Sequence, residues 1–169
     1  YEQFNFATIP SNTRIVVEHY SGERKYVIFH SLYGRRVNDC LSRAVAFAIA
    51  RTQHRDAGIG INDNGFYIAS EKPVNVMQAF KLLKSKDMGN VMNMAIERTE
   101  VLRRRFRHCA TRALMILRSY MGKKKRVGRQ QVSSMILLNA VKRISLNFSI
   151  LKEARREVLE DLMDIENAT

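Results

Sequence analysis

Four consecutive cations, Lys123, Lys124, Lys125 and Arg126, lie between Gly122 and Gly128 and lead into Arg129-Gln130-Gln131, where a helical pattern resumes. Backbone N–H groups at a helix N-terminus favour anions, and lysine and arginine add the charge that holds a phosphate. Gripping a polyanion backbone is therefore the chemistry this run could do. Its plainer reading is a solvated charged loop. Upstream, Arg103, Arg104 and Arg107, with Arg118, project at about 100° per residue onto an arc opposite the apolar stripe Leu102, Phe106, Cys109, Ala113 and Leu117. A guanidinium fork fits phosphate and carboxylate equally well. Carboxylates are available, because Glu153, Glu157, Glu160 and Asp164 share one face of the last predicted helix. If the arginine row is a brace, Arg104 or Arg107 should pair with Glu153 or Glu157. A third set, Arg35, Arg36 and Asn38, falls in the first turn of a predicted helix, where arginines oppose the helix dipole and an anionic partner would offset the conflict. Alternatively, Asn38 and His30 satisfy backbone groups at that strand-to-helix turn.

Catalytic chemistry finds little support. No GxxxxGK[ST] loop and no acidic motor motif is encoded, and Gly122-Lys123 is followed by Lys124. His19, His54 and His108 are isolated, and the acidic row strings its carboxylates along one helix axis instead of converging them on an ion. Cys40 and Cys109 have no CxxC spacing, which argues against zinc and a disulfide framework and fits a reduced, cytoplasmic compartment. Stacking aromatics near the basic elements are limited to Tyr33, Phe106 and Tyr120, and there is no Trp.

The formal net charge is +13 over 169 residues. From Arg98 to Arg129 there are 12 Lys or Arg against one acid, Glu100, so the charge is concentrated in a single segment. Such an excess attracts polyanions through long-range fields and counterion release. Nucleic acid is the expected partner. The longest apolar stretches, Ala44 to Ala50 and Met135 to Leu138, fall far short of the roughly 20 residues that span a bilayer, and no helix pairs a bulky aromatic face with a continuous basic one, so no membrane partner is expected. With Tyr1 in first place and no charged, apolar leader before the first strand, the chain is expected to be a stretch of a longer polypeptide.

The elements that must position these residues follow from periodicity. Thr13 to Tyr20 and Lys25 to His30 read as a β-hairpin around Ser21-Gly22-Glu23-Arg24. Arg35 to Thr52 is an amphipathic helix entered through Gly34, and Ala57 to Ile61 with Phe66 to Ser70 flank Asn64-Gly65, a type I′ turn signal. After Pro73 the strand pattern ends. A short helix over Val74 to Lys84, a long one from about Val91 to Tyr120, a basic loop over Gly122 to Gly128, a helix over Arg129 to Ile144 and a last helix over Ser149 to Ile165 are expected. The fold class is α+β: two β-hairpins packed with a helix over residues 1–72, followed by an all-helical basic subdomain of about four helices over residues 73–169.

The run Arg103-Arg104-Arg105-Phe106-Arg107-His108-Cys109-Ala110, with Leu114-Met115-Ile116-Leu117-Arg118, Val127-Gly128-Arg129-Gln130-Gln131 and the ending Leu159-Glu160-Asp161-Leu162-Met163-Asp164-Ile165, resembles the DEAD/H-associated region of archaeal large helicase-related (Lhr) proteins. So does Gly34-Arg35-Arg36-Val37-Asn38, and the likeness runs from about Ile9 to Ala168. The resemblance implies an accessory region of a superfamily 2 helicase. In such a chain ATP and Mg would be bound by two motor domains outside this sequence, and no cofactor by the region itself. The partners implied are single-stranded or duplex DNA, or RNA, and the motor domains of the same chain. The accessory region would grip strand phosphates or, alternatively, brace the motor without touching nucleic acid. No residue-level catalytic role transfers onto these positions.

Overall fold

The computed structural model describes Asn5 and residues 7–169, apart from the side chain of Tyr120. The chain forms two compact units, Tyr1–Ala95 with Met163–Thr169, and Ile96–Leu162. The α+β layout expected from periodicity is present.

In the first unit, strands β1 (Val16–Ser21), β2 (Lys25–His30), β3 (Gly58–Asn62) and β4 (Gly65–Ser70) make one antiparallel sheet in the order β1-β2-β4-β3. The two hairpins are thus joined through their second strands. Register pairs Val27 with Ile68 and Phe29 with Phe66, so these four apolar side chains share one face, and all are buried. The Phe29 and Phe66 rings stack with centroids 4.4 Å apart. Helix α1 (Arg35–Gln53) packs against β3 and β4 and buries Val37, Leu41, Ala44, Val45, Ala48 and Ile49, the periodic residues that predicted it, together with Cys40. Each Val, Leu or Ile among them contributes about 1.5–3 kcal/mol when fully buried. The opposite face of the sheet carries Tyr20, Tyr26 and Tyr67 side by side. A short helix α2 (Val76–Leu82) follows, capped by Asn75, then a 3₁₀ turn (Ser85–Asp87) and α3 (Met88–Ile96).

The Asn64-Gly65 turn differs from expectation. Asn62 pairs with Gly65, so the turn residues are Asp63 and Asn64, and neither Asn64 nor Gly65 takes a positive φ. Gly65 is already in the strand, where a Cβ would collide with the carbonyl oxygen of Phe29. Its glycine serves close strand approach, not turn handedness.

The second unit contains α4 (Glu100–Arg112), a hairpin of β5 (Ser119–Tyr120) and β6 (Lys123–Lys124), α5 (Val127–Ile144), α6 (Ser149–Arg156) and a π-helical turn (Glu157–Leu162). Helix α4 packs on both α5 and α6, and Leu102, Phe106, Ala110, Leu138, Val141, Leu151, Ala154 and Val158 fill the core. The single long helix expected from Val91 to Tyr120 is broken twice. Thr99 accepts from the N–H of Leu102 and caps a new helix start. At the other end Leu114 turns left-handed (φ 56°), and the N–H groups of Met115 and Ile116 both reach Ala110 O, closing the helix. The compact units also divide at Ala95/Ile96 and not at the change of pattern near Lys72, because α2 packs with α1.

Candidate nucleic-acid interface

The expected basic loop is a β-hairpin. Tyr120 pairs with Lys123, leaving Met121 and Gly122 at the tip with φ of 49° and 75°, the positive pair that a type I′ turn requires. The N–H of Lys125 donates to Arg118 O at 2.8 Å and carries the ladder one step further. Arg126 then occupies the N-cap position of α5 without a side-chain capping bond, and the helix begins at Val127, two residues earlier than periodicity indicates. Gln130 is half-buried and donates from Nε2 to Lys125 O at 2.9 Å. It ties the helix start to the hairpin, so its amide is engaged in structure.

Lys123, Lys124, Arg126 and Arg129 are exposed, and Lys125 is half-buried. Among the described residues none of these five forms an ion pair, and no acid lies between Val101 and Lys152 in sequence. Side chains alternate along a strand, so Lys124 points away from the side shared by Lys123 and Lys125.

The arginine row of α4 divides by partner. Arg103 pairs with Glu100 at 3.7 Å on the surface. Glu157, buried at 5% side-chain exposure, accepts from Arg112 Nη2 and lies 3.5 Å from Arg105 Nη1. The brace therefore exists, but through Arg105 and Arg112 and not through Arg104 or Arg107. Arg105 and Arg112 are seven residues apart, two helical turns, and so stand one above the other on the side of α4 that faces α6. Arg104 is exposed and Arg107 half-buried, and neither forms an ion pair among the described residues. Arg118 lies beyond the end of α4, so it does not continue the row. His108 registers this field: burial lowers its pKa first, and Arg107, Arg105, Arg118 and Arg112 lower it further. Beside Glu157 is an open cleft of about 560 Å³ lined by Arg112, Arg156, Glu153, Glu157 and Asp161 among others. Its charges nearly balance, which makes it a poor anion site.

Of the acidic row, Glu153 pairs with Arg156 at 2.8 Å, and Asp164 bonds Asn167. Glu160 and Asp161 also approach Arg156. Glu97, which no motif in the sequence marks, receives Lys142 Nζ at 2.8 Å and Arg155 Nη2 at 2.9 Å. Its partners lie 45 and 58 residues away, with no local spacing to reveal them.

In the first unit Gly34 has φ 82° and precedes α1, and Arg35 and Arg36 in the first turn are exposed. Arg36 is not unpartnered, since it helps to hold the Asp164 carboxyl below its ordinary range, after the hydrogen bonds from Asn167. Asn38 does not fit a nucleic-acid role. It is fully buried, its Oδ1 accepts from Ser31 Oγ at 2.6 Å, and its Nδ2 donates to the carbonyls of Ser31, Asn62 and Asp63 at 3.2–3.3 Å. Of the stacking aromatics, Phe106 is fully buried, Tyr33 is 37% exposed, and the Tyr120 side chain lies outside the described residues.

The DEAD/H associated family model matches residues 9–169. The chain belongs to the DEAD/H associated family. It is similar to the ATP-dependent helicase Lhr-Core of Methanothermobacter thermautotrophicus, 56% identical over 99% of this chain and 20% of the relative. The Lhr-Core of Saccharolobus solfataricus is 41% identical over the same shares. Among solved structures, Mycobacterium smegmatis helicase Lhr bound to ssDNA and AMP-PNP matches with a TM-score of 0.81 and 28% identity, over 95% of this chain and 21% of that one. The chain thus spans about a fifth of the length of the curated relatives it matches. As a DEAD/H associated region, the chain carries the Lhr resemblance read from its arginine-rich and terminal runs.

Proposed function

We propose that the chain is the accessory, nucleic-acid-gripping region of a longer, ATP-dependent Lhr-type helicase, and that it holds strand phosphates through the β5–β6 hairpin and the start of α5. The observation that carries this reading is the set of exposed, acid-free cations Lys123, Lys124, Arg126 and Arg129 on a hairpin whose tip is fixed by two positive-φ residues. Phosphate contacts carry no base information, which suits a protein that moves along any sequence. Single-stranded or duplex DNA, or RNA, would be the partner, in the cytoplasm at the nucleoid. The M. smegmatis relative, solved with ssDNA and AMP-PNP, supports nucleic acid as a partner of the longer polypeptide.

ATP and Mg do not fit the residues of this chain. Gly122 sits at a hairpin tip and Lys123 in strand β6, where a phosphate-cradling loop would need a strand-to-helix turn, and among the described residues no three His, Cys, Asp or Glu converge on a metal position. Both would be held by motor domains elsewhere in the longer polypeptide.

The test is salt-dependent binding of the chain to single-stranded DNA, duplex DNA and RNA, with Lys123, Lys124, Lys125 and Arg126 replaced together by Ala. Because Lys124 faces away from Lys123 and Lys125, one strand meets two or three of these cations. The slope of log K against log salt should then fall by about 1.4–2.1 on single strands, at about 0.7 per lost phosphate contact. Affinity should fall alike for all sequences, and stability should change by less than about 0.5 kcal/mol. Unchanged affinity and slope would refute the reading.

A further inference from the structure

Helix α5 carries apolar side chains on two opposite sides. One side, with Leu138 and Val141, is buried in the core of its unit. On the other, Val132, Met135 and Ile136 are 58%, 48% and 66% exposed, and their spacing of three and four residues makes them one continuous strip. A helix at a protein surface ordinarily keeps that side polar, and one that is apolar all round is covered on all sides. At about 100° per residue Arg143 falls in line with the strip at its C-terminal end, Arg129 at the other end is left to the nucleic-acid strand, and α5 contains no acid at all. We infer that this strip docks onto an apolar surface rimmed by carboxylates on the remainder of the same longer polypeptide. The inference rests on the reading of the chain as one region of a longer helicase.

Three observations select this occupant. About four-fifths of the length of the relatives lies outside the matched region, so a large surface of the same polypeptide is at hand. A second copy packed by a two-fold axis would set the patch against itself and bring Arg143 of each copy against the cationic start of the other's α5. A nucleic-acid strand would find no phosphate partner on Val132, Met135 and Ile136. Docking also has a consequence for the grip. Lys125 and Arg126 run directly into Val127, so anchoring α5 fixes the hairpin cations relative to the body on which α5 sits.

The experiment uses the native full-length polypeptide. Its mass is measured first: a polypeptide no longer than this chain overturns both the reading and the docking. In the long polypeptide, Ile136→p-benzoylphenylalanine is irradiated in a mixture of isotopically light and heavy protein, and the linked peptides are mapped. Links within one molecule, from position 136 to a segment outside these 169 residues, are expected. In a second variant, maleimide labelling of Ile136→Cys should be slower than that of Lys152→Cys by about tenfold or more, because a docked thiol reacts only when the contact opens. Cys40 and Cys109 are buried and do not compete. Mixed light–heavy links would assign the strip to a second copy and overturn the inference. So would links confined to the 169 residues, or equal labelling rates with no link, and each of these leaves the helicase reading intact.

Discussion

Replacing Asn38 with Ala separates a structural amide from a nucleic-acid contact. Its side chain is completely buried and engages four groups: the Ser31 hydroxyl and the carbonyls of Ser31, Asn62 and Asp63. Two N–H bonds serve three carbonyls, so one is shared. The variant would leave the Ser31 hydroxyl and carbonyl dry and unpaired, while the carbonyls of the exposed residues Asn62 and Asp63 regain water. A buried orphan polar group costs about 1–3 kcal/mol and an average hydrogen bond is worth about 1, so the expected loss is about 2–4 kcal/mol. For a chain of this size that lowers Tm by about 5–15 °C. Thermal and urea unfolding followed by circular dichroism would measure it. Asn38→Asp, which turns a carboxylate toward three carbonyl oxygens, should destabilise at least as much. Below its lowered Tm, Asn38→Ala should bind nucleic acid with unchanged affinity and salt slope. Wild-type stability combined with weakened binding would refute the reasoning and return Asn38 to the interface.

Gly65→Ala should destabilise the sheet beyond the ordinary cost of a strand substitution, since its Cβ would strike the backbone of Phe29, which cannot swing aside; amide exchange in β2 and β4 would report it. Burial raises the Glu97 carboxyl, but hydrogen bonds and charge from Lys142 and Arg155 outweigh it and hold the group below its ordinary value. Its stabilising contribution is therefore present above the ordinary glutamate pKa and lost as pH falls through the lower folded value, and Glu97→Gln should flatten the acid unfolding of residues 96–162 in that window. Burial, with the charges of Asp39 and Asp164, pushes the Cys40 thiol up to about 12. Native Cys40 should label with maleimide only as fast as the fold opens, and stability should fall as pH rises above about 8.5, where the unfolded thiol ionises first.

Periodicity made the sheet and most helices legible because each buries one face: Val27 and Phe29 alternate along β2, and the buried residues of α1 recur every three or four positions. The breaks were less legible. Thr99 ends a run of helix-compatible residues only through one capping hydrogen bond, and Leu114 adopts a left-handed conformation that a leucine seldom takes. The hairpin inside the basic run was hidden by its cations, which read as a solvated loop, although Met121-Gly122 supplies one residue suited to positive φ. Asn38 looked like a contact because the first turn of a helix is where polar side chains meet anions. Only the fold shows that the β3–β4 turn arrives over it.

The arginines show why residue type alone could not assign this site. Arg105 and Arg112 are as cationic as Arg104 and Arg107, and one helix carries all four. What separates them is the angle at which α4 meets its neighbour, and that angle is set by Leu102, Phe106 and Ala110 in the core. The side chains flanking that core reach Glu157, whose burial makes a charged partner obligatory, because an uncompensated interior carboxylate is strongly destabilising. Arg104 and Arg107 form no ion pair among the described residues. Apolar packing thus divides one chemically uniform row into cations consumed by the fold and cations left over. Arg104, Arg107 and the hairpin cations Lys123, Lys124, Arg126 and Arg129 are thereby the positive charge that no ion pair consumes among the described residues, and they are the charge on which the proposed grip depends.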